Sequence, residues 1–218
     1  MIRPTATAGA LAMLAACGSS DYDGNIGKDP VEISAFGAAT IVPTTTGAFP
    51  GIAAADTTVV QDGGGNGYAF GYALVNAADY GDDTGQANLA IAGVLPQTDL
   101  GTTPTSGVAT MTGTYRLVVV ENADTTTAPG TWTVTRPTGT LSADIDFGTG
   151  RLNGASTDGK LTLAASGDAG FADGFAGDVS YDGVPGLFAG ELGPDDAVAA
   201  MTGRADDSFY AGGFIIGR

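Results

Sequence analysis

From Gly51 onward, apolar residues fall on alternate positions in short segments, and clusters of Gly, Asp and Pro separate one segment from the next. Gly67–Val75 places Tyr68, Phe70, Tyr72 and Leu74 on one face, and Asn88–Leu95 offers Leu89, Ile91 and Leu95. Met111–Val120 sets Met111, Tyr115, Leu117 and Val119 against Thr112, Thr114 and Arg116, although Val118 and Val120 are apolar too. Leu141–Phe147 alternates cleanly, with Leu141, Ala143, Ile145 and Phe147 inward and Ser142, Asp144 and Asp146 outward. Leu161–Ala165, Phe175–Tyr181, Leu187–Leu192 and Phe209–Ile216 continue the series. A period of two predicts strands with one buried face. Asp195–Met201 is the one stretch that offers a helix, and it is barely two turns long.

So many short strands at close spacing predict an all-β fold, an antiparallel barrel of about eight strands. Closure leaves no unpaired edge to aggregate. The hairpin rhythm is most regular over 107–218, which is read as the barrel, with 51–106 completing it or forming a small strand layer against it. Residues 17–50 are polar or small and lack periodicity, and are read as a flexible tether holding one short strand at Ala39–Val42.

Residues 1–16 change the picture of where this barrel resides. Met1-Ile2-Arg3 precedes a short Ala- and Leu-rich stretch ending Leu14-Ala15-Ala16-Cys17. A basic start, a brief apolar core and small residues before a cut describe a secretory signal, too short to cross a bilayer, which takes about 20 residues. Leu-Ala-Ala-Cys matches the lipobox of bacterial lipoproteins, in which the Cys is lipidated. The expected lipid anchor is therefore Cys17, the only Cys of the chain, and acyl chains bind membranes at roughly 0.8 kcal/mol per buried CH₂. The expected location is the outer membrane, with surface and periplasmic faces both open.

Composition narrows the chemistry. The chain of 218 residues carries 24 acidic and eight basic residues, a net charge of −16. Such a surface repels phosphate backbones and anionic lipid, so nucleic acid is excluded as a partner while cations and basic protein patches are attracted. There is no His, which removes the commonest general base and metal ligand together. With 36 Gly and only 15% charged residues, the chain favours strands and tight turns over helices.

Several stretches of the second half carry a resemblance. Thr112-Gly113-Thr114-Tyr115 reads as the opening of a strand. Asp146-Phe147-Gly148-Thr149-Gly150, followed by Leu152 and Gly154, reads as a hairpin in which an inward aromatic precedes a Gly-permitted reversal. Gly186 to Pro194 holds Phe188, Gly190, Gly193 and Pro194, and Pro ends a strand because it cannot donate to a ladder. Gly203, Gly212 and Phe214 close the chain's last segments. In this order the motifs resemble the β-barrel domain of the transferrin-binding protein B family of bacterial surface lipoproteins, over 107–218. The resemblance implies a lipid-anchored binding protein that presents barrel loops to a protein or solute ligand, in iron or other nutrient acquisition. These residues are structural signatures, not chemical ones. Members with two lobes are far longer, so their binding loops and their transferrin partner are not carried over.

The remaining candidates weaken on inspection. Asp21-Tyr22-Asp23-Gly24 resembles part of a calcium loop, with Glu32 as twelfth residue, but Pro30 spoils the pattern. Asp79 to Asp83 reads as a polar turn. Asp144 and Asp146 share a strand face about 6–7 Å apart, loosely a glycosidase spacing, yet outward alternation explains them. Gly63 to Gly67 lacks the Lys-Ser/Thr of a phosphate loop and reads as a flexible turn. Without His, a Ser nucleophile needs Lys28 or Lys160 as base, and nothing fixes Lys160 to Ser166. Haem ligation through Tyr, Met111 or Met201 is less natural than core packing for the same residues. No catalytic residue, metal ligand or cofactor is expected beyond the lipid on Cys17. Trp132, Tyr80, Tyr115, Tyr181 and Tyr210 are candidate interface aromatics, but such rings also fill barrel cores, and the sequence alone does not divide them between the two. A binding lipoprotein is the leading expectation, and an envelope spacer without a soluble ligand the alternative.

Overall fold

The alternating segments form strands with the register that their apolar faces require. The structure, a computed structural model, describes residues 38–41, 49, 52–76, 86–122, 132–165, 171, 175–205 and 207–218. Four strands come first: β1 Ala38–Ile41, β2 Thr57–Gln61, β3 Gly67–Asn76 and β4 Gln86–Val94. They form one sheet in the order β1-β4-β3-β2, with β1 parallel to β4 and the other pairs antiparallel. The sheet thus begins within the stretch read as tether. A 3₁₀ turn, Ala54–Asp56, leads into β2.

The second group is β5 Val108–Glu121, β6 Thr133–Thr135, β7 Thr138–Asp146, β8 Arg151–Ser156 and β9 Leu161–Ala165. It continues with β10 Phe175–Tyr181, β11 Val184–Leu192, β12 Asp196–Arg204 and β13 Phe209–Gly217. Strands β5 and β7 to β13 pair in sequence, all antiparallel, and β13 returns to β5 from Phe209↔Val120 to Gly217↔Thr112. This is a closed eight-stranded antiparallel barrel, as the alternation predicts. Strand β6 adds to the far end of β5 at Val119–Glu121. Thr112-Gly113-Thr114-Tyr115 lies inside β5 instead of opening it, because pairing with β7 starts at Val108↔Asp146.

Inward positions are consistent around the whole circuit. Met111, Ala143, Gly154, Leu163, Val179, Gly186, Gly203, Tyr210 and Val119 follow one another through the registers. The interior is filled by large rings set against glycines, the small–large alternation that fits side chains into a narrow barrel. A Cβ at Gly203 would stand 2.3 Å from the Tyr210 ring, and one at Gly139 2.6 Å from the Tyr115 ring. Phe175, Phe188 and Phe214 meet at centroid separations of 5.3 to 6.3 Å, and Tyr181 touches both Tyr115 and Tyr210 at 6.2 and 5.9 Å. Each pair lies edge-on or tilted, the arrangement the ring quadrupole favours.

The four-stranded sheet packs on the outside of this barrel. Tyr68, Phe70, Ala90 and Ala92 form a second core with the outward Val118 and Val120 of β5, Val198 and Ala200 of β12, and Phe209 and Ala211 of β13. Gly213 makes the seat: a Cβ there would lie 2.5 Å from the Tyr68 ring. This explains why Val118 and Val120 break the alternation, since both faces of that half of β5 are buried. It also corrects the helical reading of Asp195–Met201. Those residues belong to β12, whose Ala197 to Gly203 are all buried because the barrel core takes one face and the sheet the other.

The connector after β4 holds sheet and barrel together. Thr98 is buried, its hydroxyl accepting from Gly67 N–H and donating to Gly67 C=O. Thr103 donates to the Leu192 carbonyl, and Phe147 N–H donates to the Gly107 carbonyl. A Cβ on Gly193 would meet the Leu100 carbonyl at 2.2 Å.

Candidate functional site

The residues singled out in the sequence divide among three places. Gly113, Gly154, Gly190, Gly203 and Gly212 lie on the inward face of their strands, and Tyr115, Phe147, Phe188 and Phe214 are interior rings. Asp146, Gly148 and Gly150 form the β7–β8 turn, where Asp146 accepts from the Gly148 and Thr149 N–H groups at 3.0 and 3.2 Å and Gly150 takes φ 64°. Gly193 and Pro194 make the β11–β12 turn, closed by Gly193 N–H on the Asp196 carbonyl at 2.8 Å. Cys17, Asp21, Asp23, Glu32, Lys28, Asp79 to Asp83 with Tyr80, and Ser166 lie outside the described residues.

The interface aromatics are redistributed. Tyr115, Tyr181 and Tyr210 are buried in the barrel instead of being offered to a partner. Trp132 is half-buried beside β6 and its indole hydrogen-bonds Tyr72, whose ring lies 6.4 Å from Phe209. The signal for this burial was present in the sequence as glycines at the positions the register sets opposite the rings: Gly139 faces Tyr115 and Gly203 faces Tyr210.

At one end of the barrel, polar groups gather around the turns. Tyr115 donates its hydroxyl to Asp158 Oδ2 at 3.3 Å, and Ser156 Oγ donates to the other oxygen of the same carboxylate. The Ser156 bond and the Lys160 N–H hold Asp158 below the usual carboxylate range. Burial, with the Asp158 charge adding to it, pushes the Tyr115 phenol up to about 12. Lys160 pairs with Asp182 at 3.1 Å, and that bond raises its pKa. The exposed pair joins the β8–β9 and β10–β11 turns. Asp182, at φ 50°, and Gly183, at φ 85°, form the tight reversal between β10 and β11.

At the other end, the turn Gly63 to Gly67 is tied by hydrogen bonds. Asp62 accepts from Gly64 N–H, Asn66 N–H and Asn66 Nδ2 at 2.7, 2.9 and 3.2 Å. Gln97 and the Asp99 N–H tie the same turn to the connector through the Gly65 carbonyl and Asn66 Oδ1. The side-chain acceptor is what fixes a turn so rich in glycine. Glu191 stands nearby, its pKa raised by burial and by the Asp99 charge.

On the outer wall, Asp144 accepts from Thr110 Oγ1 at 2.6 Å while Asp146 is spent on its turn. Asp144 is thus bonded across to β5 through one carboxylate oxygen and Asp146 to its own turn, an arrangement that outward polar alternation explains without a glycosidase-like pair. No three His, Cys, Asp or Glu side chains converge as a metal site among the described residues. What the molecule offers is surface: two sets of turns and an outer wall around a filled interior.

No family model and no curated protein matches the chain. Solved structures do match. A transferrin-binding protein B variant from Haemophilus parasuis Hp5 shares 14% identity over 69% of this chain and 33% of its own, with a TM-score of 0.41. The isotype 1 protein from serogroup B Neisseria meningitidis shares 15% over 78% and 36%, at 0.42. A variant from Actinobacillus pleuropneumoniae H49 shares 11% over 73% and 80%, at 0.43. The chain is similar in fold to transferrin-binding protein B. It spans about a third of the length of the first two of these structures. The barrel itself is established by its strand pairing, and the transferrin-binding protein B-like motifs of the sequence lie on its inward faces and turns.

Proposed function

We propose that the chain is a lipid-anchored cell-envelope binding protein, held at the outer membrane through Cys17, which binds a protein ligand with the outside of its barrel. The observation that carries the ligand class is the filled interior. Small solutes are held in concave pockets, and here Tyr115, Phe188, Tyr210 and Phe214 occupy the lumen with no accessible surface. Recognition then falls to turns and wall, the broad surfaces that protein partners use. The sequence resemblance supports nutrient acquisition, with iron as one context, and binding in place of catalysis.

Labelled palmitate supplied to cells producing the wild-type chain and Cys17→Ser tests the anchor. The wild type should take up label and partition with membranes, and the variant should do neither. Protease treatment of intact cells, with a C-terminal tag and a periplasmic control, then tests the face. Loss of the tag alone supports a surface ligand. Absence of label refutes the anchor, and full protection refutes a surface ligand.

A further inference from the structure

The barrel has two unlike walls. Outward residues of β12, β13 and the end of β5 are mostly apolar and lie under the sheet, whereas those of β7 to β11, apart from the buried Ala189 next to β12, are exposed or half-buried. The bare wall nonetheless carries two large exposed apolar side chains, Val108 at 76% and Leu187 at 45%. Cross-strand register sets them at its two edges. One row runs from Val108 to Asp146 to Arg151, and the next from Asp144 through Asn153, Ala164 and Asp178 to Leu187. Short Asn153 and Ala164 side chains leave a shallow trough between the rows, lined also by the carboxylates. From Val108 on β5 to Leu187 on β11 the band is about 24 Å wide at ~4.8 Å per strand.

Charge decides what fits it. Asp144, Asp146 and Asp178 face one Arg151, and Asp178 has no hydrogen-bond or ion-pair partner among the described residues. A second copy of a chain at −16 is repelled, and so are anionic lipid and nucleic acid. We infer that the bare wall over β7 to β11 docks a basic protein segment, with cationic side chains on Asp144 and Asp178 and apolar ones against Val108 and Leu187. The inference deepens the binding-protein reading by naming a face and a partner chemistry.

The probe is an extended heptapeptide of alternating Lys and Val, with a Glu-Val peptide as its control, titrated into the soluble Cys17→Ser chain. Backbone amide shifts should cluster on β7 to β11, and only for the Lys peptide. Combined Asp144→Asn and Asp178→Asn should weaken binding about tenfold, and Val108→Ser with Leu187→Ser should weaken it as well. Glu121→Gln with Asp207→Asn, remote from the wall, should leave it unchanged. Shifts spread over all acidic turns, equal losses in the remote variants, or no saturable binding would each overturn the inference. The variant carries no lipid, so a failed anchor leaves this result standing, and a failed docking face leaves the anchor standing.

Discussion

Strands β10 and β12 follow the same inward rule and differ only outward. Inward, both feed the barrel core, with Phe175, Val179 and Tyr181 from one and Ala197, Ala199 and Met201 from the other. Outward, β10 shows Ala176, Asp178 and Ser180, and β12 shows Val198, Ala200 and Thr202. The inward set makes a barrel, and the outward set records what lies over each strand. A polar outward face means solvent, or a partner that tolerates it. An apolar one means a second layer, which here is the sheet of β1 to β4.

Substitutions that exchange the two faces break this comparison most sharply. Val198→Asp puts an unpaired carboxylate beneath the sheet, and we expect a loss of about 3–5 kcal/mol in urea unfolding. A smaller loss, about 1–3 kcal/mol, is expected for Gly203→Ala, since the added methyl meets the Tyr210 ring inside the barrel.

The barrel interior also makes stability depend on pH. Tyr115 is neutral in the fold, with its pKa raised from 10.0 to about 12. A raised folded value means that its contribution is complete below pH 10 and is lost as pH climbs through 12. The urea midpoint should therefore fall as pH rises from 10 to 12, and Tyr115→Phe should lessen that fall. Beneath the sheet, the Tyr68 hydroxyl is buried and draws only on the Arg116 backbone, short of a well-formed hydrogen bond, and Tyr68→Phe should raise stability by at most about 1 kcal/mol. On the bare wall, Asp178→Val should change stability by no more than about 0.5 kcal/mol.

The sequence revealed the strands whose two faces differ. Leu161–Ala165 and Phe175–Tyr181 were legible to the residue, because solvent or a turn residue interrupts every apolar position. It concealed β12, where Ala197-Val198-Ala199-Ala200-Met201 has no period because both faces are buried. It also concealed β2, whose five residues Thr57–Gln61 mix Thr and Val without alternation. The site was less legible than the fold. Tyr115 and Tyr210 could not be divided between interface and core because the glycines that house them lie on other segments, Gly139 24 residues from Tyr115. The bare wall could not be read at all. Whether Val198 or Asp178 meets water depends on where β3 and β4 pack, more than eighty residues earlier in the chain.

Thiol accessibility tests the two-walled barrel most directly. In a Cys17→Ser background the chain has no other thiol, so Val198→Cys and Asp178→Cys each carry a single probe. A maleimide reagent under native conditions should modify the residue 178 thiol as fast as a free thiol, and the residue 198 thiol only as fast as the protein unfolds. Equal, rapid labelling of both would contradict the account, because the sheet would then not cover the barrel.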